Sequence, residues 1–322
     1  MKSTLFAVLA GAYAQSNYSV IEGYYRNNLK VDVYTRTWEP AKGNTVAKLV
    51  FVHGFNDMSS HYNDIFSKFA EAGIKVHAFD QVGCGKTGEK ANNLGGAMGM
   101  DRVRIDIDDA IERIYDTKTP LFLMGHSFGG STTIDYLARG KKRDLISGAI
   151  AAAPDLELAP ESQPNSLAAE AIKALVSIAP KMKVHFSLDA NFLSRNKTYV
   201  EEVKKEPLQN SFWASIQARD VISGGRYILD GGYKEIKVPR LLIAHGSGDK
   251  ITNHNTSEKF AQTLSQQDLP KSVIFKSYPG AYHELHNETN KDEVIVDFIK
   301  WILDKIETKS SWRRFLPGIR KF

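Results

Sequence analysis

A serine, an aspartate and a histidine, in that chain order and each just past an apolar β-type run, are the residues best suited to covalent catalysis. The run Leu121-Phe122-Leu123-Met124 leads directly into Gly125-His126-Ser127-Phe128-Gly129-Gly130. Gly-x-Ser-x-Gly between a strand and a helix is a nucleophile elbow, a turn so tight that side chains two residues either side of the serine would collide. It lifts Ser127 to a helix N-terminus, whose dipole favours developing negative charge. A hydroxyl is a weak nucleophile at neutral pH and needs a base, which in turn needs an orienting acid. Gly246-Ser247-Gly248-Asp249 follows the run Leu241–His245, and Pro279-Gly280-Ala281-Tyr282-His283 follows Val273–Tyr278. Position and order therefore assign Ser127 as nucleophile, His283 as base and Asp249 as acid. A tetrahedral intermediate also needs two backbone N–H donors for its oxyanion. Phe128 supplies one and Phe55, in the loop His53-Gly54-Phe55 after Leu49–Val52, the other. His53 reads as a brace for that loop.

These residues need a sheet to hold them. Short apolar runs alternate with longer helical patterns, which predicts an α/β fold with a mostly parallel central sheet flanked by helices. The expected strands are Lys48–Val52, Lys75–Phe79, Leu121–Met124, Gly148–Ala152, Arg240–His245 and Ser272–Tyr278. Helices are expected near Ser60–Ala72, Asp101–Tyr115, Gly129–Ala138, Ser257–Leu264 and Asp292–Ile306, and an edge hairpin over Ile21–Trp38 turning at Asn27-Asn28. The rhythm breaks over about 155–226, which holds four prolines and no clear strand. Its apolar segment Ser166–Ala179 reads either as a buried connecting helix or as part of an inserted helical cap, with Leu175 and Val176 facing lipid substrate. The domain reading is a leader over 1–14, a catalytic domain over 15–308 with that insertion, and a tail over 309–322.

Composition narrows the classes. The 322 residues are 42% hydrophobic and 25% charged, which fits an ordinary globular chain, and no apolar run is long enough to span a bilayer. A single cysteine, Cys84, excludes an internal disulfide framework and multi-thiolate metal sites. The net charge of +5 is matched by five cations in Lys309–Phe322, so the body is near neutral and carries no nucleic-acid footprint. That tail interleaves Trp312, Phe315, Leu316, Ile319 and Phe322 with its cations, a pattern suited to a membrane or lipid-droplet surface, or to packing on the body. Met1–Ala14 has a lysine, an apolar run and Ala12-Tyr13-Ala14, and reads as a secretory signal. The alternative is an N-terminal arm on a cytoplasmic or peripheral protein. Asp80–Thr87 nearly matches a phosphate-binding loop but has Asp80 for the first glycine, and the following GEKANNLGGAMGM is too glycine-rich to continue as a helix. His283-Glu284-Leu285-His286 is one residue short of a zinc motif. No cofactor or metal is expected.

The chain resembles the monoacylglycerol lipases of the α/β-hydrolase family, fungal type. The resemblance is carried by His53-Gly54-Phe55, Phe79-Asp80-Gln81-x-Gly83-x-Gly85, the Ser127 elbow, His245–Asp249, Tyr278–His283, and in the cap Leu193–Thr198 with Glu206-Pro207-Leu208. It implies hydrolysis of monoacylglycerol, with diacylglycerol as a further candidate substrate, to glycerol and fatty acid through an acyl-enzyme. It also places Asp57 and His286 beside the glycerol group. The chain departs from the family at Asn56, for a glycine, at His61, for a common arginine, and at Val203, where animal members have a tyrosine. A lysophospholipase or general carboxylesterase would share the chemistry. A non-catalytic lipid-binding protein of the same fold is the reading from another class.

Overall fold

The computed structural model describes residues 17–41, 43–267, 272–304 and 306, so the leader and the basic tail lie outside the described residues. The body is an eight-stranded sheet. Strands β1 (Tyr18–Arg26) and β2 (Asp32–Pro40) form the edge hairpin, followed by β3 (Ala47–Val52), helix α1 (Asn63–Glu71) and β4 (Ile74–Phe79). After β4 come α2 (Gly85–Lys90), α3 (Gly99–Ile114), β5 (Leu121–His126), α4 (Phe128–Arg139) and β6 (Ile146–Ala152). An excursion carries α5 (Ser166–Ile178), β7 (Lys183–His185), α6 (Lys197–Lys204), β8 (Phe212–Ala214), α7 (Ser215–Ser223) and α8 (Arg226–Leu229). The chain then returns as β9 (Arg240–Gly246), α9 (His254–Gln266), β10 (Ser272–Tyr278) and α10 (Lys291–Leu303). The sheet order is β1-β2-β4-β3-β5-β6-β9-β10, with β1/β2 and β2/β4 antiparallel and the rest parallel.

The central strands are buried on both faces, which is why they read as continuous apolar runs. Side-chain alternation splits the core into two layers. Leu49 and Phe51 pack with Phe66, Phe69, Val294 and Phe298 under α1 and α10, whereas Val50 and Val52 pack with Ile107, Phe128, Ile134 and Phe260 under α3, α4 and α9. Truncating a fully buried phenylalanine such as Phe51 to alanine would cost about 3–5 kcal/mol. The β1/β2 turn is set by Asn27, whose Oδ1 accepts the Leu29 and Val31 amides, each at 3.0 Å.

Two expectations need correcting. The excursion contains strands after all, because β7 and β8 pair antiparallel through Lys183–Ala214, Val184–Trp213 and His185–Phe212. Three-residue strands are too short for alternation to reveal them. A helix also forms after the near-phosphate loop: α2 starts at Gly85, where Asp80 Oδ1 accepts the Ser59 amide (2.8 Å) and hydroxyl (2.7 Å) and Oδ2 accepts the Lys86 amide (2.8 Å). Asp80 thus takes up the Lys86 amide in the first turn of α2.

Candidate active site

The sheet's topology brings the carboxyl ends of β3, β5, β6, β9 and β10 side by side, and loops at such ends are where α/β folds place ligand-facing groups. Ser127 stands between β5 and α4 with φ +56° and ψ −123°, a conformation that L-residues adopt only when the surroundings enforce it. The glycines explain how. A Cβ on Gly125 would lie 2.0 Å from Gly129 O, and one on Gly129 would lie 2.2 Å from Val52 O and 2.4 Å from His53 O. Gly130 is less crowded, its nearest neighbour being Pro154 Cα at 3.0 Å.

Asp249 and His283 meet across the loops after β9 and β10, with His283 Nδ1 donating to Asp249 Oδ2 at 2.7 Å. The same Oδ2 accepts His245 Nε2 (3.1 Å) and the Thr252 hydroxyl (2.9 Å), while Oδ1 accepts the amides of Ile251 (2.7 Å) and Thr252 (3.0 Å). Burial alone would raise the Asp249 carboxyl, but His283, His245 and these bonds hold it well below the usual carboxylate range. Burial likewise works to lower His283, and the Asp249 charge outweighs it and raises the imidazole above its ordinary value. Ser127 and His283 line one cavity. Among the described residues Ser127 Oγ makes no hydrogen bond.

Of the two proposed oxyanion donors, Phe55 lines this cavity and Phe128 follows Ser127 at the start of α4. Neither the Phe55 nor the Phe128 amide donates to another group among the described residues. Gly54 brings the Phe55 loop against the nucleophile, since a Cβ there would lie 3.1 Å from Ser127 Cβ. His53 braces the loop: its Nε2 accepts the Gln81 amide (2.9 Å), which leaves Nδ1 to donate to Gly54 O (2.8 Å). The Phe55 ring packs on Phe186 and Trp213 of the excursion, so the loop is clamped from above. Asn56 adds a second clamp: its Oδ1 accepts the Asn210 amide at 2.9 Å and its carbonyl accepts Gln209 Nε2 at 2.8 Å. Its φ of +53° suits a glycine, and asparagine is among the side chains that tolerate it.

Asp57 lines the cavity and ties its polar wall together. Oδ1 accepts the Met58 amide (2.7 Å) and His61 Nδ1 (2.8 Å), and Oδ2 accepts the Tyr62 hydroxyl (2.5 Å) and the Gly54 amide (3.2 Å). Burial pushes the Asp57 carboxyl upward, yet the His61 bond and charge win and hold it well below its usual range. His61 rises to about 9 despite its burial, through that same bond and charge, so it is cationic at neutral pH. His61, Val203 and Asn56, the three departures from the family pattern, all line the cavity.

His286 does not line it. The residue is buried behind the wall, stacked on Tyr62 at 4.4 Å, with burial lowering it to about 3. Leu175 and Val176 do not line it either; they lie half-buried on α5, which packs against α7. The apolar lining comes instead from Leu188, Ala190, Leu193, Val203 and Ile251, and a second opening bounded by Pro164, Phe186 and Phe192 shares Leu188. Irregular segments supply most of these residues, so no periodicity marks them. Sequence reasoning also missed Glu284 as a cavity residue. Its Oε2 accepts the Tyr199 hydroxyl (2.5 Å) and Asn287 Nδ2 (2.8 Å), and its amide donates to Leu193 O at 2.7 Å, which docks the excursion onto the His283 loop. The only available signal was adjacency to His283. Among the described residues no cluster suited to a metal ion occurs.

Comparison with known proteins agrees with this architecture. The family described as serine aminopeptidase, S33, matches residues 43–290. A Schizosaccharomyces pombe protein that carries the name of a monoglyceride lipase is 31% identical over 85% of this chain and 71% of its own. The solved structure of a soluble variant of Saccharomyces cerevisiae monoglyceride lipase with a substrate analog superposes with a TM-score of 0.76 at 22% identity, covering 91% of this chain and 99% of that one. Paleococcus ferrophilus monoacylglycerol lipase gives a TM-score of 0.70 at 26% identity, covering 84% and 98%. The fold and the Ser127 elbow define an α/β hydrolase. The chain belongs to the S33 serine-hydrolase family.

Proposed function

We propose that the protein hydrolyses the ester bond of monoacylglycerols. His283 Nε2 takes the Ser127 proton as Ser127 Oγ adds to the ester carbonyl, and the Phe55 and Phe128 amides receive the oxyanion. Collapse expels the glycerol oxygen, which collects the proton from His283 and leaves an acyl ester on Ser127. Water, deprotonated by the same imidazole, then releases the fatty acid. Asp249 keeps Nε2 unprotonated in the resting state and stabilises the imidazolium afterwards.

The observation that carries the substrate reading is the two-sided lining of the cavity. Asp57, His61, Gln209 and Glu284 offer a polar alcohol some hydrogen-bonding partners, whereas Leu188, Ala190, Leu193 and Ile251 suit an acyl chain. The monoglyceride-lipase names of its relatives support the same reading. Turnover of 2-oleoylglycerol, lysophosphatidylcholine and an alanine anilide, each with a Ser127→Ala control, tests it. The monoacylglycerol should be hydrolysed fastest. Faster turnover of the lysolipid or the anilide would reject the assignment.

An exposed apolar patch on the excursion supports lipid contact. Leu167 and Ile178 of α5, with Met182 beyond it, are exposed apolar side chains, with Leu167 80% and Ile178 82% accessible. Replacing Leu167 and Ile178 by serine should weaken sedimentation with phosphatidylcholine vesicles; unchanged binding would remove this role. Secretion through Met1–Ala14 is part of the proposal. It predicts that protein recovered from the medium starts after Ala14, and an N-terminus at Met1 would count against it.

A further inference from the structure

One carboxylate beside the candidate triad takes no part in the chemistry described above. Asp155 is 1% exposed, and both its carboxylate oxygens lack a hydrogen-bond partner. It follows β6, the strand lying between β5, which leads to Ser127, and β9, which leads to Asp249. Its amide donates to Ser127 O at 3.0 Å. Two residues earlier, Ala153 has φ +43°, its amide donates to Ala244 O at 2.7 Å and its carbonyl accepts the Thr252 hydroxyl at 3.2 Å. Thr252 is also bonded to Asp249 Oδ2. The backbone around Asp155 is thus fastened to the turns that carry the nucleophile and the acid.

A buried ionised carboxylate with no donor is expensive, so a position like this is normally apolar or paired. The charged groups facing Asp155 are His283, from the loop after β10, and Asp249, from the loop after β9. The Ser127 turn and the Gly224 end of α7, which closes on Asp155 O, contribute no titratable group. Burial is the main force raising the Asp155 acid, Asp249 adds to it, and His283 pulls the other way; the group is pushed up to about 8.

We propose that Asp155 is a positioning residue for His283: a second carboxyl, buried without a partner between the turns that carry Ser127 and Asp249, whose charge, when present, stabilises the imidazolium formed during turnover. The Asp155 proton is lost to solvent and is not consumed in the reaction. The proton that His283 takes from Ser127 still goes to the leaving alcohol. The inference rests on the Ser127–His283–Asp249 assignment and not on which ester is the natural substrate.

The test measures kcat for p-nitrophenyl butyrate and the rate of phosphonate labelling at Ser127 from pH 6 to 9.5. Wild type, Asp155→Asn and Asp155→Leu are compared. Wild type should show a second rise near pH 8, on the order of three- to tenfold, beyond the limb set by His283. Both variants should lose that rise. Stability gives an independent readout: between about 3.8 and 8 the folded Asp155 keeps a proton that the unfolded chain has lost, so wild type should lose stability with rising pH relative to Asp155→Asn. A single ionisation in wild type overturns the proposal even if neither variant folds. So does a second rise that survives in Asp155→Asn, or an equal loss of rate at every pH, which marks a purely structural carboxyl. Failure of monoacylglycerol turnover alone would leave these butyrate and labelling results intact.

Discussion

Asp249→Asn is the substitution whose consequence the geometry fixes most tightly. Oδ1 accepts two backbone amides, from Ile251 (2.7 Å) and Thr252 (3.0 Å), and those donors cannot turn away. An asparagine must keep its carbonyl oxygen on that side, because an NH2 there would face two N–H groups. Its NH2 then takes the place of Oδ2, against His283 Nδ1 and His245 Nε2. His283 can bond to it only by accepting at Nδ1, which moves the ring proton to Nε2, where the base should be vacant. The resulting loss is a wrong tautomer plus a missing countercharge. We expect kcat/KM for p-nitrophenyl butyrate at pH 7 to fall by about 10³–10⁴, equivalent to roughly 4–5.5 kcal/mol of transition-state stabilisation. The fall should be in kcat, and phosphonate labelling of Ser127 should slow in parallel. A cooperative thermal transition would show that the variant folds. A loss under tenfold, or one confined to KM, would refute the tautomer argument.

Backbone crowding yields a paired expectation: Gly129→Ala should destabilise by about 3 kcal/mol or prevent folding, whereas Gly130→Ala should cost less than half as much, because a new Cβ meets Val52 O at 2.2 Å in one case and Pro154 Cα at 3.0 Å in the other. Equal midpoints in urea unfolding would contradict this. His61→Gln tests the polar wall through pH: the His61 cation is stabilised by Asp57 fully below its ordinary value of 6.5, and that stabilisation disappears as pH rises through about 9. Wild type should therefore exceed His61→Gln in stability by on the order of 2–3 kcal/mol at pH 6 and much less at pH 9.5, and parallel curves would show that the Asp57 pairing contributes nothing.

What the residues disclose before any coordinates depends on how local the controlling physics is. The elbow was legible because a tight turn demands glycines at fixed offsets, and the central strands because burial on both faces leaves continuous apolar runs. Loop ends after strands exposed Asp249 and His283 as candidates. The cavity lining escaped notice because Leu188, Ala190, Leu193 and Ile251 come from irregular segments whose direction is set by tertiary docking. Asp155 escaped for the same reason: nothing in Ala153-Pro154-Asp155 announces that the carboxyl will be buried without a donor. His286 was located by analogy with the family, and in this fold the Tyr62 ring stands against it.

The polar wall and the oxyanion loop are one network, and this limits how the enzyme can change its substrate. Asp57 holds the Gly54 amide with the same Oδ2 that accepts Tyr62, and its Oδ1 holds His61. Asn56 accepts from Gln209 and Asn210, and Phe55 packs its ring on Trp213. A change made at Asp57 or Asn56 therefore breaks bonds that hold the loop of Phe55, the proposed oxyanion donor. His61 and Val203 line the same cavity, and His61 Nδ1 is bonded to Asp57 Oδ1 at 2.8 Å. Val203 is the position at which the proposed alcohol site can change without touching the bonds of Asp57 and Asn56. There the resemblance implies a tyrosine in animal members, as it implies a common arginine at His61.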